Sequence, residues 1–417
     1  MKKFIVKSGY FYALLMSSSI LWFRQDLRLH DNEALIEAVR NADEVIPVYI
    51  FNVKADRISK FRLKFLIESV ADLRHHLRVL GSDLMIRIGK PDEVINQLAI
   101  ETKSQWVYCN RERTRDEVEE QDSLERKLWT TGREMRYSRG KMLYYTSDLP
   151  FPVTHCPDSF VSFRKEVEAI VPVRLPLDAP LTMPGITKPC EPGEIPDIGS
   201  FIADDLIEAD YFFQGGESEG LKALKSRTHI PATMSIEEGM LISPWISMGC
   251  LSPKKVYHSS FTKEDGGELV RQHLLYRDYL RLMGKKYGDL IFTGSGIKRI
   301  AGKFESNPEA FNNWKTGNTG IPIIDAAMHQ LNKTGWIPDV LRKTVANYLI
   351  KVLKLDWTLG AAYFQATLID YDPCSNWVAW LNLAGVGPDS REDRIIHYDI
   401  VGKKLDPDGT YVRMWNS

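Results

Sequence analysis

The chain has 417 residues, 44% of them hydrophobic and 26% charged, with 54 Lys and Arg against 55 Asp and Glu for a net charge of −1. That length exceeds what one core usually holds, so two domains are expected. A near-zero net charge gives no global attraction to nucleic acid and leaves such binding to a local basic patch. Five cysteines (Cys109, Cys156, Cys190, Cys250, Cys374), never in Cys-x-x-Cys spacing, argue for reduced thiols in a cytoplasmic protein without a zinc site or iron–sulfur cluster.

Lys2, Lys3 and Lys7 precede a short apolar run, Tyr10 to Met16, that faintly resembles a secretory signal. The run is at the short limit and structured sequence follows at once, so Met16 reads as the start and the preceding residues as a non-native extension. No later run is long enough to span a membrane. From 19 to 145 strand and helix alternate. Ile20–Phe23, Val45–Phe51, Leu84–Ile88 and Trp106–Cys109 read as buried strands, separated by helices at Asp31–Arg40 (Asp31 as N-cap), Ile58–Leu80 and Val94–Ile100, with Asp116–Trp129 after the last. Such alternation implies crossovers and a doubly wound parallel sheet, an α/β N-terminal domain. No Gly-x-Gly-x-x-Gly follows the first strand, so a dinucleotide fingerprint is absent.

Residues 146–205 carry many of the prolines and read as a connector packed along the surface. From 206 to 417 there is no β-alternation, and an all-α domain is expected. Glu268 to Met283 has helical spacing, with His273, Arg277 and Arg281 as an i, i+4 polar row; Val340–Leu353 and Thr358–Ile369 are further amphipathic helices.

The run from Asp370 to Arg394 stands out. Asp370 and Asp372 follow a helix C-terminus, where carboxylates face the negative end of the dipole at a cost of a few tenths to about 1 kcal/mol. A cation should sit opposite, and Arg342 is the choice. Trp377 and Trp380, three apart, are expected on one helix face. On chemistry alone, Arg277, Arg342, Asp370, Asp372 and Asn376 read as structural ion pairs capping helices more readily than as a site.

These residues resemble the flavin end of the cryptochrome/photolyase family, and Ala384-Gly-Val-Gly-Pro-Asp-Ser-Arg-Glu-Asp393 resembles its DASH-type cryptochromes. The resemblance extends from about Ser19 to Trp415. It includes Leu21-Trp-Phe-Arg-Gln-Asp-Leu-Arg-Leu-His-Asp-Asn32, Leu149-Pro-Phe-Pro152 with Phe160 to Glu168, and Thr319-Gly-Ile-Pro-Ile-Ile-Asp-Ala-Ala-Met328. It implies FAD held within the helical domain by Ser243, His273, Arg277, Asp278, Arg342, Asp370, Asp372 and Asn376, with Arg342 and Asp370 as an ion pair beside the ring. Asn376 would face the ring nitrogen that changes protonation on reduction, where a neutral amide tolerates negative charge better than a carboxylate does. Trp380 and Trp357 match the family's electron relay. Its surface member falls on Phe304, so Trp314, Trp336 or Tyr371 would have to substitute.

Departures from the family pattern cluster. In Gly239-Met-Leu-Ile-Ser-Pro244 only Ser243 keeps a hydroxyl for the FAD phosphates, and an upstream tyrosine is Ala223 with Arg227 retained. Two lost bonds to a charged phosphate, each roughly 1.5–3 kcal/mol, would weaken binding about a hundredfold or more. In the lesion pocket, family glutamate and tryptophan positions are His273 and Tyr276, an Asn-Arg pair is Asp339-Val340, and an aromatic wall is Asn382. A flipped base needs such walls to offset unstacking, so pyrimidine-dimer repair is in doubt. Arg391, Arg394, Lys298, Arg299 and Lys303 read either as a basic rim for DNA or as solvated charges. Asn110-Arg-Glu112 with Thr114, Glu117 and Glu120 resembles a folate antenna neighbourhood, against an acidic helix start.

The expectation is a monomeric DASH-like flavoprotein, with an α/β antenna domain (19–145), a connector (146–205) and a helical FAD domain (206–417). Its excited flavin would be reduced through Trp380 and Trp357, with pyrimidine-dimer repair in single-stranded DNA as the enzymatic outcome. The alternatives are a photoreceptor or redox module, and a scaffold without flavin.

Overall fold

The structure is a computed structural model that describes residues 17–54, 57–186, 190–202, 212–226, 241–260, 267–300, 304–389, 391 and 393–417. Expectations for residues 1–16, Arg227, Gly239, Met240 and Lys303 fall outside that set.

Five parallel strands, β1 (Ser18–Phe23), β2 (Glu44–Phe51), β3 (Met85–Ile88), β4 (Trp106–Asn110) and β5 (Glu134–Ser138), form one sheet in the order β3-β2-β1-β4-β5. β5 was not anticipated; Glu134-Met-Arg-Tyr-Ser138 alternates exposed and buried residues at a sheet edge, a weaker signal than an unbroken apolar run. Helices α1 (Glu33–Asn41) and α2 (Lys60–Val79) cover one face, and α3 (Pro91–Glu101) and α4 (Arg115–Trp129) the other. β1 and β2 are buried along their whole length, as a sheet covered on both faces requires. The N-cap of α1 is Asn32, whose side chain accepts from the Leu35 amide, and not Asp31. Asp31 is instead buried against Lys254 at 2.9 Å.

In the connector, α5 (Phe160–Val167) is the only α-helix among the described residues. The rest is tied to both sides: Ile86 donates to the Pro192 carbonyl at 2.7 Å and Phe160 donates to Asp389 at 3.0 Å.

The helical part comprises α6 (Glu217–Ser226), α7 (Ser243–Ser247), α8 (Pro253–Ser260), α9 (Gly267–Tyr287), α10 (Pro308–Thr316), α11 (Pro322–Thr334), α12 (Asp339–Asn347), α13 (Trp357–Thr367), α14 (Pro373–Leu383), α15 (Tyr398–Leu405) and α16 (Thr410–Trp415). The helix expected over Val340–Leu353 divides: α12 gives way to a π-turn at Tyr348–Val352. α9 packs on α14, and α13 on α14, which sets the walls of a central cavity. Trp380 of α14 lies over Gly360 of α13, where a Cβ would come within 2.2 Å of the indole, so the ring's position requires glycine there.

Candidate functional site

The central cavity has an empty volume of about 1070 Å³, open solvent included. Its wall is mostly apolar (Ile242, Ile246, Leu274, Leu280, Phe364, Leu383), with Trp380 on α14 and a small set of polar side chains. Leu241 is buried elsewhere and does not fill it.

The dipole argument for a cation opposite Asp370 is met. Arg342 donates two hydrogen bonds to the Asp370 carboxylate, at 3.0 and 2.8 Å, and a third at 2.8 Å to the Ile337 carbonyl. This planar two-point pairing is stronger and more directional than a lysine contact. The Ser243 hydroxyl donates to Asp370 and accepts from the Trp336 indole at 3.2 Å. The one hydroxyl reserved for a phosphate is thus engaged with the ion pair.

Asp372 corrects the dipole reading. It is the N-cap of α14, accepting from the Ser375 amide at 2.8 Å and hydroxyl at 2.9 Å, so it sits at the favourable positive end of a helix. Arg281 donates to its other oxygen. Burial alone would raise the Asp372 carboxyl, but Arg281, Arg277 and the Ser375 bonds outweigh it and hold the group well below the usual carboxylate range. Arg281 in turn lies 3.6 Å from Glu112, which Lys141 pairs. A buried chain of charges, Lys141–Glu112–Arg281–Asp372, therefore links the two halves of the molecule. Sequence reasoning put Arg281 in a polar row and gave it no role; it has one here.

Asn376 is buried in the wall and donates to the Ala361 carbonyl at 2.9 Å, which fixes its amide. His273 lines the cavity with its Nε2 buried and without a partner among the described residues. Burial lowers its pKa, with Asp339 opposing, so it is neutral at physiological pH. Arg277 lines the wall and donates to the Lys141 carbonyl at 2.8 Å. Tyr276 and Asp339 also line it; Tyr276 stands edge-on to Phe160 at 4.9 Å, and Asp339 pairs with Lys343 at 2.7 Å.

Three expected site residues lie outside the wall. Asp278 accepts from the Tyr144 amide at 2.9 Å, behind α9. Asn382 is buried and accepts from the Asp389 amide at 3.2 Å, closing the turn after α14; a Cβ on Gly387 would meet it at 2.2 Å. Trp357 packs against Trp377 at 5.8 Å and donates to the Gly294 carbonyl. Trp377 and Trp380 do not share a surface. Trp380 faces the central cavity, whereas Trp377 lines a second space between the sheet and the helical part. Helix neighbours three apart differ by about 60° in direction, enough to address two cavities.

That second space lies at the carboxyl ends of β1, β2 and β4, where the strand order reverses and ligands commonly bind. Glu112, Thr114, Glu117 and Glu120 all line it. Burial raises the Glu117 carboxyl, aided by Glu112, and burial likewise raises Glu120. In the proposed basic rim, Arg391 instead binds Asp389 at 3.1 Å and Lys298 the Gly385 carbonyl at 2.8 Å.

The family descriptions "DNA photolyase" and "FAD binding domain of DNA photolyase" match residues 19–183 and 270–416. A cryptochrome DASH of Gloeobacter violaceus is 35% identical over 424 residues, covering 95% of this chain and 85% of the relative. Among solved structures, a Synechocystis cryptochrome superposes with a TM-score of 0.88 at 31% identity, covering 96% of this chain and 88% of its own. An archaeal photolyase from Sulfolobus tokodaii, described as holding two FAD molecules, gives 0.81 at 29% identity over 95% and 90%. The fold is that of a photolyase-type flavoprotein, with a parallel-sheet domain and a helical FAD-binding domain. The chain belongs to the photolyase/cryptochrome family and groups with its DASH cryptochromes. No described helix is long and apolar enough to cross a membrane.

Proposed function

We propose that this chain is a blue-light-driven electron-transfer flavoprotein that carries FAD in the central cavity. The observation that carries the reading is the two-point Arg342–Asp370 pair set in a mostly apolar cavity with Trp380 in the same wall. The unpartnered buried Nε2 of His273 adds a polar group that a ligand would satisfy. FAD supplies light absorption and one-electron chemistry when bound. Arg342 and Asp370 hold its polar edge, Asn376 presents a fixed neutral amide, and Ile246, Leu280 and Leu383 exclude water. An electron lost from Trp380 is replaced from within the protein. Trp314 touches it at 6.2 Å, and Tyr363 touches Trp314 at 5.7 Å. We assign this path beside the one through Trp357.

A second reading, without dimer repair, is favoured by the rim of the cavity. Asn382 offers no wall to a flipped base, and the Asp339–Lys343 pair neutralises the cation there. In the interdomain space, Glu117 and Glu120 would accept or donate to a ring antenna such as folate. Blue-light reduction in the presence of a thiol tests the primary reading, and recovery of thymine absorbance in a dimer-containing single strand separates the two. Reduction without recovery identifies a receptor or redox module; no reduction contradicts the flavoprotein reading.

A further inference from the structure

A second ligand site lies where β4 and β5 end. The two strands run in parallel register, Asn110 beside Ser138, so the residues just past each emerge together. After β4 come Arg111 and Arg113; after β5 come Arg139 and Lys141. Arg281 on α9 faces them from the helical part, with Lys285 one turn further on near the same arginines, and Met142, Tyr144, Tyr145 and Thr146 close the wall. It is open to solvent, its empty volume of about 340 Å³ including solvent space, and Arg111, Arg139 and Lys285 are exposed around it.

Its charge is not balanced. Lys141 and Arg281 share Glu112 and Asp372. Among the described residues, the side chains of Arg113, Arg139 and Lys285 have no carboxylate within ion-pair distance, and Arg111 rests on the Tyr137 ring at 5.0 Å. Arg113 is pushed down by burial and then by Arg111, Arg281 and Arg139; Lys285 is pushed down by burial and then by Arg113, Arg139 and Arg111. Mutual repulsion of this kind destabilises the fold and is relieved by an anion.

The backbone carrying these cations is held in place beforehand. Buried Arg28 binds the carbonyl of Gly140 at 2.7 Å, the Asn110 side chain accepts from the Gly140 amide at 2.8 Å, and Arg277 binds the carbonyl of Lys141 at 2.8 Å. Guanidinium groups carried on a backbone anchored in this way suit phosphate oxygens, which they bind two at a time.

We propose that this hollow binds a compact polyphosphate, either the phosphate chain of a nucleotide or an inorganic one. The cations close around a small concavity instead of running in a stripe, so it fits a short multiply charged group better than a nucleic-acid backbone. It is separate from the flavin cavity and does not depend on the functional reading above.

The test is calorimetric titration and thermal unfolding of the full chain with inorganic tripolyphosphate at constant ionic strength, beside ATP and a duplex oligonucleotide. Wild-type protein is expected to bind tripolyphosphate and unfold at a higher temperature with it. R113Q/R139Q should weaken binding at least about tenfold, since a charge-assisted bond lost to each guanidinium is worth that much or more. Without ligand the double variant should unfold no lower than wild type, because repulsion is relieved, and it should keep its flavin content. ATP binding tighter than tripolyphosphate marks a nucleotide as the ligand; equal affinity marks the phosphate chain alone. The proposal fails if tripolyphosphate up to about 5 mM neither binds nor stabilises, if R113Q/R139Q binds it unchanged, or if these residues bind only the oligonucleotide.

Discussion

Trp314 stands edge-on to Trp380, ring centroids 6.2 Å apart and planes at 78°, and both indoles are buried. Phe364 fills the angle between them, 5.1 Å from Trp380 and 6.3 Å from Trp314. Tyr363 then meets Trp314 at 5.7 Å, half-buried, with its hydroxyl bonded to Asn332. Oxidisable rings thus lead outward from the cavity wall without using the Phe304 position.

Replacing Trp314 by Phe keeps the packing volume nearly constant and removes the oxidisable indole. W314F should slow blue-light reduction about tenfold, equivalent to about 1.4 kcal/mol of barrier, while W357F alone leaves a substantial rate. Transient absorption of the purified proteins checks this. Equal rates for wild type and W314F would assign the route to Trp357.

The Arg342–Asp370 pair is expected to control both flavin retention and stability. Removing one partner of a buried pair leaves an uncompensated charge and costs about 3–5 kcal/mol. R342L and D370N should each purify with much less flavin, whereas S243A, which removes one bond to Asp370, should lose less. The ratio of flavin to protein absorbance reads the difference.

Arg281 holds Asp372 and faces Glu112 across the domain boundary. R281M strands buried Asp372 and leaves Glu112 with Lys141 alone. The expected loss is again of the order of 3–5 kcal/mol, read as a lower midpoint in urea. R281K should recover part of it, since a single ammonium cannot reach both acids as a guanidinium does.

Stability should depend on Asp278. Burial raises its carboxyl to about 6, against hydrogen bonds from the Tyr144 and Leu143 amides, and its Oδ1 has no partner among the described residues. An unfolded aspartate titrates near 3.9. Between about pH 4 and 6 the folded state therefore holds a proton that the unfolded chain has released, so stability falls as pH rises through that window. D278N should flatten this slope and raise the melting temperature at neutral pH by a few degrees. A slope unchanged in calorimetry would assign it to other groups.

Much of the architecture could be read from the residues, because apolar runs such as Val45–Phe51 and helical spacing such as Leu275, Tyr279 and Leu282 carry the burial pattern directly. β5 escaped because an edge strand buries one side only. Asp31 reads as a cap in the local pattern, which cannot show Lys254, more than 200 positions away, that pairs with it. The same holds at the site. The Arg342–Asp370 pair followed from a dipole argument and motif spacing together. Asp372 was misjudged because a carboxylate just past one helix is also just before the next. The roles of Arg281 and Lys141 and the hollow at the ends of β4 and β5 have no local signature, since each draws on residues from both domains.

The most direct test of the account is the amount of flavin released when the purified chain is denatured. The cavity, its ion pair and its buried aromatic wall predict yellow protein that releases FAD, approaching one per chain after incubation with excess FAD. Colourless protein that takes up no FAD, while folded by circular dichroism, would contradict the proposed photochemistry.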